Sequence, residues 1–399
     1  MQKFIDLIIE DDSISLAQSL GNKKLQANCR LKCNESTNLP DEKTDNFKND
    51  EITLLHVAAF YDSLECFCFL ESKYKTKKNE NILRTPSTKS YYPLHYACFN
   101  GSREIVAYIL SQDPEEASMI LPNIDHHFLF YTVYGGDPII LTELFKNGAD
   151  LQEAHNKADD PIGKAISLSQ IECLKVLLKY EKGSSNSNKY TPAMLASKNC
   201  HPEALKLLIS SEEDITYSSG SNESVISLMF HYSNGLIFKD VLLYLLRRYP
   251  NARIEPPSDN IAGVVHWICK IADKEISLLM IQTADVNINR LDENNYSGPH
   301  YMAIQKNIKE DTIIDILRIL INNNFDVNLK PKNIANAPRP IEYFLNAMVR
   351  RTKVIQFLLE NGARLDKKSS KDPNKTIYEQ AMNTQNQEMK NLLSSYYSK

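Results

Sequence analysis

The string Thr53-Leu54-Leu55-His56-Val57-Ala58-Ala59 returns in altered form as Tyr92-Pro93-Leu94-His95-Tyr96-Ala97-Cys98, 39 residues later. Shorter echoes follow at Thr191-Pro192-Ala193-Met194-Leu195-Ala196 and Ser297-Gly298-Pro299-His300-Tyr301-Met302-Ala303. Each copy keeps one order: a turn residue, an apolar residue, a histidine or its substitute, and a small residue. A unit this short cannot bury its apolar face alone, so successive units have to stack. That constraint outweighs chain length. By itself, a length of 399 residues suggests about two or three domains.

The residues that open each copy fall at 53, 92, 127, 160, 191, 224, 263, 297, 339 and 376, with spacings of 39, 35, 33, 31, 33, 39, 34, 42 and 37. Behind each opening lies a second apolar stripe at helical offsets, as in Leu64, Cys66, Phe67, Phe69 and Leu70 or Ile171 to Leu178. Gly101 and the Gly135-Gly136-Asp137 string sit where two short helices need a turn. This pattern resembles the ankyrin repeat, whose signature is Thr-Pro-Leu-His-x-Ala and whose period is about 33 residues. The resemblance implies an all-α ankyrin-repeat solenoid of about ten helix-turn-helix units, joined by short or degenerate β-hairpin loops. In such a unit the threonine caps the first helix, proline fits its first turn, and the histidine bonds nearby backbone.

On this frame, residues 1-27 read as an N-terminal helical cap, with Ser13 as the N-cap of its second helix. Residues 28-50 are rich in Asn, Glu, Asp, Lys, Ser and Thr and read as a polar mobile insertion. Residues 51-373 form the repeat array, and 374-399 a C-terminal capping repeat. Lys73 to Lys89 reads as a polar insertion that lengthens one loop. Most units lack the inter-helix glycine, since the chain has only 12, and local departures from ideal stacking are expected there.

Composition narrows the function. Lysine plus arginine number 46 against 50 acids, a net charge of -4, so no global field favours nucleic acid or an anionic membrane. The first residues carry a charge inside their apolar run, which a secretory leader does not tolerate, and no apolar run approaches the roughly 20 residues of a membrane span. A cytoplasmic protein is expected. Cys66 and Cys173 share one repeat position, and Cys98 and Cys269 another, so these thiols read as small buried hydrophobes. His56, His95, His266 and His300 likewise share the motif position and read as structural. No nucleotide loop, metalloprotease motif, serine elbow or dinucleotide fingerprint is present. The expectation is no enzyme, no cofactor and no metal.

By resemblance to the family, the partner-facing positions are one before the opening residue and seven and eight after it. They hold Phe60, Tyr61, Tyr91, Phe99, Asn100, Tyr134, Tyr190, His231, Tyr232 and Tyr296. Aromatics are frequent here beyond their 9% share, and they suit binding hot spots. The sequence therefore reads as a monomeric, non-catalytic scaffold or adaptor that binds another protein on the concave face, without nucleic acid. Two alternatives remain: a regulatory or host-directed effector with hidden activity at Cys29 or Cys33 in the 28-50 insertion, and a membrane or cytoskeletal linker.

Overall fold

Most opening residues of the repeated string adopt an extended backbone and start a helix. Thr53, Tyr92, His127, Thr191, Gly263, Ser297, Arg339 and Thr376 all do so. The computed structural model describes residues 2-21, 30-32, 50-75, 81-119, 127-155, 160-181, 190-210, 223-232, 236-249, 254, 262-282, 286-330, 337-349, 351-383 and 386-397. The chain divides into two compact units, Met1–Asn188 and Lys189–Lys399. The fold is the expected all-α ankyrin-type stack of paired helices.

In the first unit the pairs are α1 (Gln2–Ile9) with α2 (Ser13–Leu20), α3 (Leu54–Tyr61) with α4 (Leu64–Tyr74), and α5 (Pro93–Asn100) with α6 (Arg103–Gln112). Next come α7 (Phe128–Gly135) with α8 (Pro138–Lys146), a short α9 (Leu151–His155), and α10 (Pro161–Ser167) with α11 (Ile171–Tyr180). First helices stack on first helices, in the order α1, α3, α5, α7, α10, and second helices stack as α2, α4, α6, α8, α11. Burial follows from that arrangement. Leu54 through Phe60 are all buried in α3, because this helix is walled by two neighbours and by its own α4. The second helices bury one stripe only; in α11 it is Cys173, Leu174 and Leu177. Each fully buried aliphatic side chain contributes about 1.5–3 kcal/mol.

The second unit repeats the plan with α12 (Pro192–Lys198) and α13 (Pro202–Ser210), α14 (Val225–Tyr232) and α15 (Lys239–Arg248), and α16 (Val264–Ile271) and α17 (Lys274–Gln282). It continues with α18 (Gly298–Ile304) and α19 (Glu310–Asn322), α20 (Pro340–Asn346) and α21 (Thr352–Glu360), and α22 (Ile377–Ala381) and α23 (Gln387–Tyr397). The Phe230 and Trp267 rings stack face to face at 4.4 Å and join α14 to α16. Gly298 opens α18 because no Cβ fits there: one would lie 2.5 Å from the Val265 carbonyl oxygen.

The motif histidine fastens one repeat to the next. His56 Nδ1 accepts from the Thr53 backbone N–H at 3.3 Å, which places the ring proton on Nε2, and Nε2 donates to the Tyr91 carbonyl at 3.0 Å. His266 joins Gly263 N (2.9 Å) to Tyr296 O (2.8 Å), and His300 joins Ser297 N (2.9 Å) to Pro338 O (3.2 Å). Glu342 does the same work without an imidazole, accepting from Arg339 N at 3.1 Å and from Ser370 N at 2.7 Å. The histidines are buried as read from the sequence, and so are Cys66, Cys98, Cys173 and Cys269, with burial pushing the first three thiols up to about 12.

Several local expectations change. The N-cap of α2 is Asp12, whose carboxylate accepts from Ser15 N at 2.9 Å, and Ser13 is the first helical residue. The inter-helix turn survives without glycine: Asp11, Asp62, Ser169, Cys200 and Ala272 take the left-handed backbone that Gly101 takes at φ 77°. Asp11 and Asp62 turn this to use. Asp11 accepts from Cys66 N at 2.9 Å and Asp62 from Ile105 N at 3.0 Å, so each caps the second helix of the next pair. The Lys73 to Lys89 stretch is partly core, since Ile82 and Leu83 are buried in a 3-10 turn and Arg84 bonds Glu116 at 2.5 Å and Asp113 at 2.9 Å. Of the 28-50 insertion, most residues, Cys29 and Cys33 among them, lie outside the described residues. At its ends Leu31–Lys32 pairs antiparallel with Glu51–Ile52, and Asp50 is buried against the Tyr96 hydroxyl at 2.7 Å.

Candidate partner-binding surface

The first helices end in a turn, and the residues seven and eight places after the opening residue stand at that end. Their exposure varies along the chain. Phe60 and Phe99, two of the positions expected to face a partner, are each only 1% exposed. For Phe99 the reason is packing between repeats, since its ring stacks on Tyr134 of the next first helix at 5.1 Å; Phe60 meets Tyr61 of its own helix edge-on at 5.2 Å. Both belong to the core and are withdrawn from the partner surface. Tyr61, Asn100 and Tyr134 are half-buried beside them. Asn100 spends its amide on the Phe60 carbonyl at 2.7 Å, closing the end of α3.

Tyr91 and Tyr296 occupy the hairpin position before the opening residue, and both are half-buried. Their carbonyls receive the histidine bonds described above, and their rings pack on the motif: Tyr91 on Tyr131 at 5.6 Å, Tyr296 on His300 at 5.5 Å and Tyr343 at 5.3 Å. These two tyrosines hold repeats together and leave only a ring edge for contact.

In the second unit the surface is more open. Tyr232 is 44% exposed, and His231 beside it is exposed and meets its ring edge-on at 4.8 Å. Tyr190 donates its hydroxyl to Glu223 at 2.8 Å, while its ring supports the Lys198 ammonium at 4.7 Å; Tyr232 flanks the same ammonium at 5.6 Å. Lys270 lies over Tyr301 at 4.4 Å, and in the first unit Lys164 lies over Tyr134 at 4.5 Å. Desolvation lowers both of these lysines below the ordinary value.

The search for aromatics missed two aliphatic members of this surface. Ile304, at the end of α18, is 61% exposed, and Met348, just past α20, is 88% exposed. Counting seven from Ser297 would have found Ile304; Met348 sits nine from Arg339, outside the counted positions. A separate groove of about 350 Å³ lies between the second helices α13 and α15, walled by Ile209, Val241 and Tyr244.

Among the described residues no three His, Cys, Asp or Glu side chains stand close enough to hold a metal ion, and no helix is long and apolar enough to cross a membrane. His127 accepts from Leu129 N at 3.2 Å as a helix cap, and the Arg351 guanidinium is buried against the end of α18, donating to the Met302 carbonyl at 2.9 Å and to that of Gln305.

Comparison with known proteins agrees with this geometry. A family model for three ankyrin repeats matches residues 129–219, and a single-repeat ankyrin model matches residues 89–118. The chain is also 24% identical over 189 residues to the transient receptor potential cation channel subfamily A member 1 of Drosophila melanogaster. That match covers 44% of this chain and only 15% of the channel's length.

Proposed function

From the premise that this chain is an ankyrin repeat protein, a module that mediates protein–protein interaction, we propose a non-catalytic scaffold or adaptor whose partner lies across the ends of its first helices. The observation that supports the reading lies in the second unit, where Tyr232, Ile304 and Met348, near the ends of α14, α18 and α20, are 44, 61 and 88% exposed. Large apolar side chains left exposed at the ends of several first helices favour a surface that a partner completes. The surface is built on helices fixed by inter-repeat hydrogen bonds, so little ordering entropy opposes association. Working as a monomer in the cytoplasm is part of the same proposal. Ankyrin repeats are typically non-catalytic, and no enzymatic step is assigned to this chain.

The test is affinity capture from the native cell with the wild-type chain and with a Tyr232→Ser, Ile304→Ser, Met348→Ser variant. The variant should lose the specific partner while helical content and melting stay unchanged. Recovery of the same partners by both proteins would remove this surface from the reading.

A further inference from the structure

Charge is sorted between the two helix layers. Beyond α2, the second helices carry carboxylates, among them Glu104, Glu143, Glu172, Glu203, Asp240 and Glu275. Cations on that layer find them: Lys146 pairs with Glu143 at 3.3 Å, Lys175 with Glu172 at 2.6 Å, Lys206 with Glu203 at 2.9 Å, and Lys239 with Asp273 at 2.7 Å. The first helices differ. From α3 through α20 they hold one carboxylate, Glu342, which is 2% exposed and taken by backbone N–H groups. The buried hairpin acids Asp50 and Asp292 are taken by the Tyr96 and Tyr301 hydroxyls, and Glu223 by Tyr190; the hairpin acids Glu293, Asp326 and Asp366 are exposed. Yet Lys164, Lys198 and Lys270 all stand on first helices. Among the described residues no carboxylate lies within ion-pair distance of any of the three; each is held instead over an aromatic face.

A net charge of -4 thus conceals a first-helix face whose mobile charges are positive. Half-burying an ammonium with no carboxylate at ion-pair distance is unfavourable; Asp292 favours the Lys270 charge from further off, and an aromatic face offsets only part of the cost. The missing partner for such a cation is an external anion. Resting on the scaffold reading above, we propose that the first-helix face of the second unit binds an acidic segment of another protein, with carboxylates placed on Lys198 and Lys270 and aliphatic side chains on Tyr232 and Ile304. The cations are sparse, one on α12 and one on α16, and apolar groups lie among them. A phosphate backbone asks for a denser basic track. With α14 between those helices and roughly 8–10 Å per helix step, the axes of the two helices that carry the ammonium groups stand about 16–20 Å apart. An extended segment spans that in about five or six residues, which sets the spacing of its acidic residues.

The experiment selects a random twelve-residue peptide library displayed on phage against the purified full chain, then measures the leading synthetic peptide by fluorescence anisotropy. Enriched peptides should be net negative with aliphatic residues between the acids. Lys198→Gln with Lys270→Gln should weaken binding at least tenfold, most strongly at low salt. Lys198→Arg with Lys270→Arg should retain it, and Lys206→Gln on the second-helix layer should leave it unchanged. Neutral or basic winners, or binding indifferent to the Gln pair but lost in Tyr232→Ser with Ile304→Ser, would overturn the acidic partner and leave the scaffold surface standing. Binding indifferent to both pairs, or no enrichment over a blank surface, overturns both. Displacement of the peptide by single-stranded DNA at equal concentration would assign the face to nucleic acid and overturn the proposal.

Discussion

His56 Nε2 lies 3.0 Å from the carbonyl oxygen of Tyr91, 35 residues further along the chain, and this bond ties one repeat to the hairpin of the next. The same ring accepts a backbone N–H at Nδ1, so it works only as the neutral imidazole. Burial lowers His56 and His300 from 6.5 to about 4, and lowers His266 as well. Between pH 6.5 and 4 the unfolded chain takes up protons that the folded chain refuses, so stability falls as pH falls through that window and is fully present above it. Each of His56 and His300 contributes up to about 3 kcal/mol of this loss. Urea unfolding at pH 7 and pH 5 should show the midpoint drop, and His56→Gln should flatten the slope for the first unit. A midpoint independent of pH across that window would refute the two-ended histidine pin.

How much of this was readable in advance depended on whether a residue acts within its own repeat. The histidine position, the proline at the first helical turn and the buried cysteines were legible, because the helix-cap chemistry is local. Glu342 in place of histidine was not, since an unrelated side chain reaches the same kind of groups, its own opening N–H at Arg339 and the following hairpin at Ser370. The partner face failed for a related reason. Phe60, Phe99 and Ile304 occupy one repeat position, but Phe99 is covered by Tyr134 from the next repeat while Ile304 is 61% exposed. Exposure there is set by the neighbour's bulk, and a one-repeat register cannot report it.

Asp62 illustrates a substitution that the missing glycine would make tempting. It sits at φ 58°, and its carboxylate accepts from Ile105 N at 3.0 Å and Glu104 N at 3.4 Å at the start of α6. Asp62→Ala loses the cap and strains the left-handed backbone, about 1 kcal/mol from each source and about 2 in all. Asp62→Gly relieves the backbone but loses the cap, and should still be destabilising by up to about 1 kcal/mol. Asp62→Asn should stay within a few tenths of wild type. Chemical denaturation ranks the three, and a glycine variant more stable than wild type would show that the inter-repeat cap is worth nothing.

Gly298 is fixed by approach, since its φ is ordinary. A Cβ would meet the Val265 carbonyl oxygen at 2.5 Å and Cys269 Sγ at 2.8 Å, and the first of these is backbone that cannot rotate away. Gly298→Ala should therefore cost about 1–3 kcal/mol as overpacking between α16 and α18, despite alanine's better helix propensity. Cys269→Ala alongside it removes only the sulfur contact and should restore little. Equal melting temperatures for Gly298→Ala and wild type would mean the two helices can separate freely.

Asn328 carries a rung between hairpins of the second unit. Its Oδ1 accepts from Arg364 N at 2.8 Å and its Nδ2 donates to the Gly362 carbonyl at 2.8 Å, copying the pairing of Asn289 with Asp326 N and Asn324 O one repeat earlier. The next equivalent position holds Asp366, whose two oxygens are taken by Arg364 at 3.0 and 2.9 Å, so the ladder of amides stops there. Asn328→Asp keeps the shape and the acceptor but sets a carboxylate oxygen against the Gly362 carbonyl. At pH 7 it should destabilise by about 1 kcal/mol, the low end for a lost hydrogen bond because the rung is exposed. Protonation restores a donor to that oxygen, so the gap to wild type at equal pH should narrow as pH falls below about 4. Paired denaturation curves at pH 7 and pH 3.5 read this directly, and a gap that stays constant would show that the amide's donor plays no part in joining the repeats.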